Sequence, residues 1–187
     1  MKNRIKLLMM IIMLVGFVYI SKNEIYAKSK ADKVYSKFLK KSQFKLKHNV
    51  GDEIIRINYY LKLNIDHKGC KELLIADNEY SMYIHIFTVK KGKLKYIGGF
   101  FNKYDNINIK YNKYGLISYD GPGGYGYVLE QIKKGKLKIT KSVFCREVNP
   151  YPRKKYYVNE KKCSKRKFNK YKKKYFSKIK SISLKKK

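Results

Sequence analysis

The sequence predicts an α+β domain: an N-terminal helix, an antiparallel β-meander and a C-terminal basic amphipathic helix. Three observations carry that prediction. The middle of the chain is filled by runs with an apolar period of two, separated by turn residues. The segment KKGKLK occurs at residues 90–95 and again at 133–138, each copy punctuating two such runs. Apolar residues spaced three or four apart mark both ends of the domain.

Residues 1–27 divide into a basic start (Lys2, Arg4, Lys6), an apolar run over 7–20 and a polar stretch ending in Ala27. That layout is expected of a secretory signal peptide cleaved near Ala27, leaving 28–187 as one exported domain. The run is short of the roughly 20 apolar residues that cross a bilayer, so a retained anchor is the second reading. No Cys lies near Ala27 to carry a lipid.

Residues 30–41 place Val34, Tyr35, Phe38 and Leu39 on one helical stripe. In 53–65, Ile55, Ile57, Tyr59, Leu61 and Leu63 alternate with polar residues, the pattern of a single half-buried strand. Further strands are expected at 72–77, 80–89, 94–101, 107–112, 115–119, 127–132 and 137–144. Gly92 and Gly135 supply the positive φ of two hairpin turns. Beyond the proline-marked link at 149–155, a helix over 164–182 starts on the N-cap Ser164. Its stripe is Phe168, Tyr171, Tyr175, Ile179 and Ile182. One hydrophobic layer is expected, with both helices packed on the sheet or at its edges.

Forty-six Lys+Arg against 13 Asp+Glu give a formal charge of +33. Such a field attracts polyanions. For an exported chain these are wall teichoic acids, anionic lipid surfaces, acidic glycans and extracellular DNA. Abundant Lys, Tyr, Ile and Asn also fit the codon bias of an AT-rich genome. The densest basic cluster is Lys165, Arg166, Lys167, Lys170, Lys173, Lys174 and Lys178, around the stripe of the last helix, so these are the candidate polyanion contacts. Nucleic acid ranks last as a partner, because export is expected and no nucleic-acid-binding motif is present.

Three cysteines cannot all pair within one chain. Cys145 and Cys163 flank a turn-rich stretch and are the candidate disulfide of an oxidising compartment; unpaired thiols are the alternative. No CxxC pair supports zinc or dithiol chemistry.

In NIDHKGCKELLI (64–75), oxygen-bearing residues and a glycine fall at the spacing of a calcium loop: Asn64 first, Asp66 third, Gly69 at the turn, Glu72 ninth. Position twelve is Ile75, so this is no EF-hand. The pieces VYSKFLK, LNIDHKGCKELLI, HIFTVKKGKLKYIG and YYVNEKKCSKRKFNKYKKKYF occur in this order over nearly the whole of 28–187. Together they resemble a family of uncharacterised exported proteins of Gram-positive anaerobes with a degenerate FG-GAP-like loop, D-x-[DN]-x-D-G-x-x-E-L. The resemblance implies Asn64, Asp66 and Glu72 as oxygen ligands for calcium. Lys68 stands where the family has a carboxylate, and an ammonium there repels a divalent cation. The favoured reading is therefore a metal-free turn, and no cofactor is expected.

GPGGYG (121–126) is a literal GxGxxG. The sequence after it reads as a strand and hairpin rather than a helix, so a dinucleotide site is excluded. Tyr119, Tyr125 and Tyr127 beside it are a candidate aromatic groove for a sugar or peptide, with a plain turn preferred. His48, His67 and His85 have no metal-ligand spacing, and His85 reads as packed in a strand. No nucleophile motif appears. The preferred reading is a secreted, cationic, non-enzymatic domain held electrostatically at the cell envelope. The alternatives are a secreted effector or inhibitor that binds a protein partner through tyrosines near 121–126, and a hydrolase that gathers acids such as Asp105, Asp120 or Glu130.

Overall fold

The computed structural model describes residues 30–48, 51–80, 83–102, 107–119, 124–148 and 153–187. The expected signal peptide at residues 1–27, Asp105 and Asp120 lie outside the described residues, as do the side chains of Tyr119 and Tyr125.

The chain is α+β, as its periodicities predict. Helix α1 (residues 30–39) leads into the hairpin β1 (Gln43–His48) and β2 (Gly51–Arg56). Then come β3 (Tyr59–Leu63), β4 (Glu72–Ala76), β5 (Tyr83–Lys90) and β6 (Lys93–Phe101). A second run holds β7 (Asn108–Asn112), β8 (Gly115–Tyr119), β9 (Gly124–Lys133), β10 (Lys136–Val148), β11 (Arg153–Val158) and β12 (Lys161–Cys163). Helix α2 (Lys165–Tyr175) and the short strands β13 (Lys180–Ser183) and β14 (Lys185–Lys186) complete the chain.

The single layer expected from the sequence is replaced by two antiparallel sheets. The first has the order β14-β3-β4-β5-β6 and the second β12-β11-β10-β9-β8-β7-β13. Leu61, Leu74, Ile84, Ile86 and Phe100 of the first sheet meet Ile109 and Leu116 of the second in the central core. Ala31, Tyr35 and Phe38 of α1 pack with Phe44 on the outer face of the first sheet, against Leu73, Ile75 and Phe87. Phe168 and Phe176 pack on the outer face of the second, against Ile117, Leu129 and Val143. Four layers result: α1 with its hairpin, sheet, sheet, α2.

Strand alternation explains the arrangement. In β4, Leu74 and Ala76 point to the central core while Leu73 and Ile75 point to α1, so the strand is buried on both faces. In β8, Leu116 and Ile117 divide in the same way. Each large apolar side chain so buried contributes roughly 1.5–3 kcal/mol over leaving it exposed.

The long strand expected over 53–65 breaks at Ile57 and Asn58. The Ile57 N–H donates to the Ser42 carbonyl at 2.8 Å, and Ile57 joins the α1 core while Leu61 enters the central one. The two KKGK turns behave as expected. Lys91 and Gly92 have φ of 51° and 72°, and Lys134 and Gly135 have 53° and 71°, the paired positive angles of a two-residue hairpin turn whose twist matches its strands.

The helix expected over 164–182 stops early. The Phe176 N–H closes the last turn on the Lys172 carbonyl, and Lys178, at φ 54°, turns the chain away. Ile179 then packs with the α2 core and Ile182 with the central core, so their helical spacing is coincidental. From there β13 pairs with β7 at the edge of the second sheet and β14 pairs with β3 at the edge of the first. Between them Leu184 is buried, and its N–H donates to the Ile107 carbonyl at 2.9 Å. One eight-residue segment, 180–187, thus borders both sheets.

Candidate functional site

The basic surface is built on α2. Ser164 caps the helix as the sequence predicts, its Oγ accepting from the Lys167 N–H at 3.3 Å. Phe168 sits 5.2 Å from the Tyr156 ring, Phe176 lies 5.7 Å from Tyr127, and Tyr171 and Tyr175 are half-buried beside them. Docking this stripe on the second sheet leaves Lys165, Arg166, Lys167, Lys170, Lys173 and Lys174 exposed. Lys178, also exposed, lies in the bend after the helix rather than within it. Lys172 is held lower, its Nζ 4.8 Å from the Tyr127 ring centre; Lys174 and Lys141 lie 5.2 and 5.4 Å from that of Tyr175.

Electrostatics make this surface unusual. The helix dipole places partial positive charge at an N-terminus, where Asp and Glu are favoured. The first turn of α2 carries no acid and three cations, Lys165, Arg166 and Lys167. Each unfavourable charge there costs about 0.3–1 kcal/mol. The cations of the last turn, Lys172, Lys173 and Lys174, are on the favourable end. No ion pair joins an α2 side chain to a described residue; the pairs found there, Lys45–Asp52 and Lys62–Asp32, belong to the other end of the molecule. Charge is also unevenly divided along the chain. Residues 148–187 hold 17 Lys+Arg and a single acid, Glu160, whereas 30–79 hold 11 and seven acids.

The calcium-like loop is fastened by its own backbone. The Glu72 carboxylate, buried at the start of β4, accepts the Ile65 N–H at 2.9 Å, and Asp66 accepts the Lys68 N–H at 2.8 Å. Tyr35 of α1 donates its hydroxyl to the Lys71 carbonyl at 2.8 Å. Asn64 Oδ1 is buried and has no hydrogen-bond partner among the described residues. Burial, and the nearby Asp66 charge, raise Glu72 to about 7 despite the Ile65 hydrogen bond. Gly69 makes the turn at φ 56°, and Lys68 is exposed. Among the described residues no group of three or more His, Cys, Asp or Glu side chains is arranged to hold a metal ion.

The cysteine expectation is corrected. Cys145, Tyr156 and Cys163 are successive partners across β10, β11 and β12, so two strand spacings separate the cysteines. That is about 9.6 Å, beyond the Cα separation of roughly 7 Å that a disulfide spans. No disulfide joins Cys145 to Cys163.

Of the candidate aromatic groove, only Tyr127 has a described side chain, and it packs on Phe176 beneath Lys172. Gly124 and Gly126 of the glycine-rich segment lie in β9, a strand, which agrees with rejecting a dinucleotide site. His85 is buried with its ring 5.9 Å from Phe44 and 5.1 Å from Tyr83. Glu130, the described member of the hydrolase acids, is buried in β9 and accepts the Ser118 hydroxyl at 3.3 Å; burial raises it to about 7. Sequence reasoning missed the unfavourable first-turn charge of α2, although its signal, KRK directly after the N-cap serine, is plain once the cap is fixed.

No helix among the described residues is long and apolar enough to cross a membrane. No family model, curated protein or solved structure matches the chain.

Proposed function

We propose that the protein is an exported, non-enzymatic domain that attaches to an anionic component of the cell envelope through the basic face of α2. The carrying observation is the first turn of that helix, where three cations oppose the dipole and the turn itself holds no acid. A segment shaped by stability alone places acids there; positions that break a local rule concentrate at functional sites. The leader-like residues 1–27 and the resemblance to exported proteins of Gram-positive anaerobes supply the compartment. Contact is by lysine point charges, which act collectively and are screened within about 10 Å at 0.1 M salt.

The reading is tested by incubating purified protein with isolated cell walls, before and after extraction of teichoic acid, and eluting with rising salt. Binding that needs the polymer and is released below roughly 0.5 M salt is expected from screening of exposed charges. Retention that is indifferent to salt, or equal on extracted walls, contradicts it.

A further inference from the structure

We infer that a flexible, phosphate-bearing polymer binds around the free edge of the second sheet and is held by both faces of β10–β12 at once. This rests on the proposed role of α2 and extends it to the opposite face.

Residues directly opposed in an antiparallel pair share a face. The row Cys145–Tyr156–Cys163 faces α2, where Tyr156 meets Phe168. One position along, the side chains point the other way. There Arg146 opposes Lys155, Phe144 opposes Tyr157, and Tyr157 opposes Lys162. Arg146, Lys155 and Lys162 are exposed, and the Arg146 guanidinium lies 5.7 Å from the Tyr157 ring centre.

Like charges placed directly opposite destabilise a strand pair. Arg146 against Lys155 is such a pair, and Lys162 stands diagonally beside Lys155. None of the three forms an ion pair with a described residue. So the same three strands carry cations with no ion pair among the described residues on one face and the cations of α2 on the other.

Two features select a chain over a membrane. The strand β12 has only three residues and ends the sheet, so a polymer can pass round it from face to face; a planar bilayer meets one face at a time. The exposed large apolar side chains among the described residues are Ile54, Tyr80, Tyr83, Phe101 and Ile139; of these only Ile139 lies on β10–β12, at the far end of β10 from Arg146, and none lies on α2. A single exposed isoleucine away from the cations is too little apolar surface for insertion into lipid. Phosphate is the matching group, because the arginine fork pairs with two of its oxygens and lysine binds it as a point charge.

The test compares wild type with two variants, Arg146→Gln/Lys155→Gln/Lys162→Gln and Lys165→Gln/Arg166→Gln/Lys167→Gln. Each is titrated with inorganic polyphosphate, and with vesicles of phosphatidylglycerol and phosphatidylcholine, at several salt concentrations. The first variant is expected to melt no lower than wild type, since it relieves like-charge opposition. It should bind polyphosphate about tenfold more weakly, with the log–log salt slope reduced by about 2, while vesicle binding changes less than twofold. Unchanged polyphosphate binding in this variant, with loss in the α2 variant, overturns the two-faced site and leaves the α2 reading standing. A lowered melting temperature assigns the three residues to the fold and overturns it, as does a parallel loss of vesicle binding. If neither variant weakens polyphosphate binding, both readings fail.

Discussion

At the scale of single residues, the two buried glutamates set the pH response. Glu72 and Glu130 are each raised from the ordinary value of 4.5 to about 7, desolvation being the first cause in both. A carboxyl raised on folding stabilises the protein fully below the unfolded value and loses that contribution as pH rises through the folded one. Stability is therefore expected to be greatest near pH 4–5 and to fall through pH 7, with up to roughly 3 kcal/mol at stake for each group. Melting temperatures at pH 5 and pH 8 check this: wild type should melt lower at pH 8, and Glu130→Gln should narrow the difference. A wild type that gains stability with rising pH contradicts it. Much at this scale was legible. The roles of Ser164, Gly69, Gly92, Gly135 and His85 follow from residue type and position. The burial of Glu130 did not, because a glutamate in an alternating strand gives no sign that a second sheet covers its face. The separation of Cys145 from Cys163 was equally hidden, since it depends on a third strand, β11, lying between them.

At the scale of elements, the meander was readable where strands are long and alternate strictly, as in β5, β6 and β10. The KKGK hairpins fixed their neighbours in register. The hairpin β1–β2 and the strands β12, β13 and β14 were not readable. Short basic strands carry too few apolar positions to show a period, and Ile179 and Ile182 mimic a continuing helix. Yet the last of these elements join the two sheets. Leu184 is 3 % exposed in the central core, between strands that pair with β7 and β3. Leu184→Ala is expected to destabilise by about 2–5 kcal/mol, the usual cost of a buried leucine. Substituting Lys186, exposed in β14, should change stability by less than about 0.5 kcal/mol. Chemical denaturation of both variants distinguishes a structural seam from a loosely laid tail; equal, small effects would show the latter.

At the scale of the whole molecule, charge and fold are partly decoupled. Three separate cores account for the architecture without any contribution from the basic residues of α2. The three cations of its first turn, Lys165, Arg166 and Lys167, oppose the helix dipole and raise the electrostatic energy of the folded chain. An excess of lysine from codon bias predicts cations scattered without regard to the helix dipole or to acids. The observed gradient, from seven acids in 30–79 to one in 148–187, instead concentrates the field on the second sheet and its helix. The central claim is that this field serves binding at the expense of stability. Its most direct test is one paired measurement on Lys165→Gln/Arg166→Gln/Lys167→Gln: melting temperature and affinity for purified teichoic acid, at matched low salt. The account predicts opposite changes, a melting temperature raised by a few degrees from roughly 1 kcal/mol of relieved dipole repulsion and an affinity lowered at least tenfold. An affinity equal to that of wild type, whatever the melting temperature does, would contradict it.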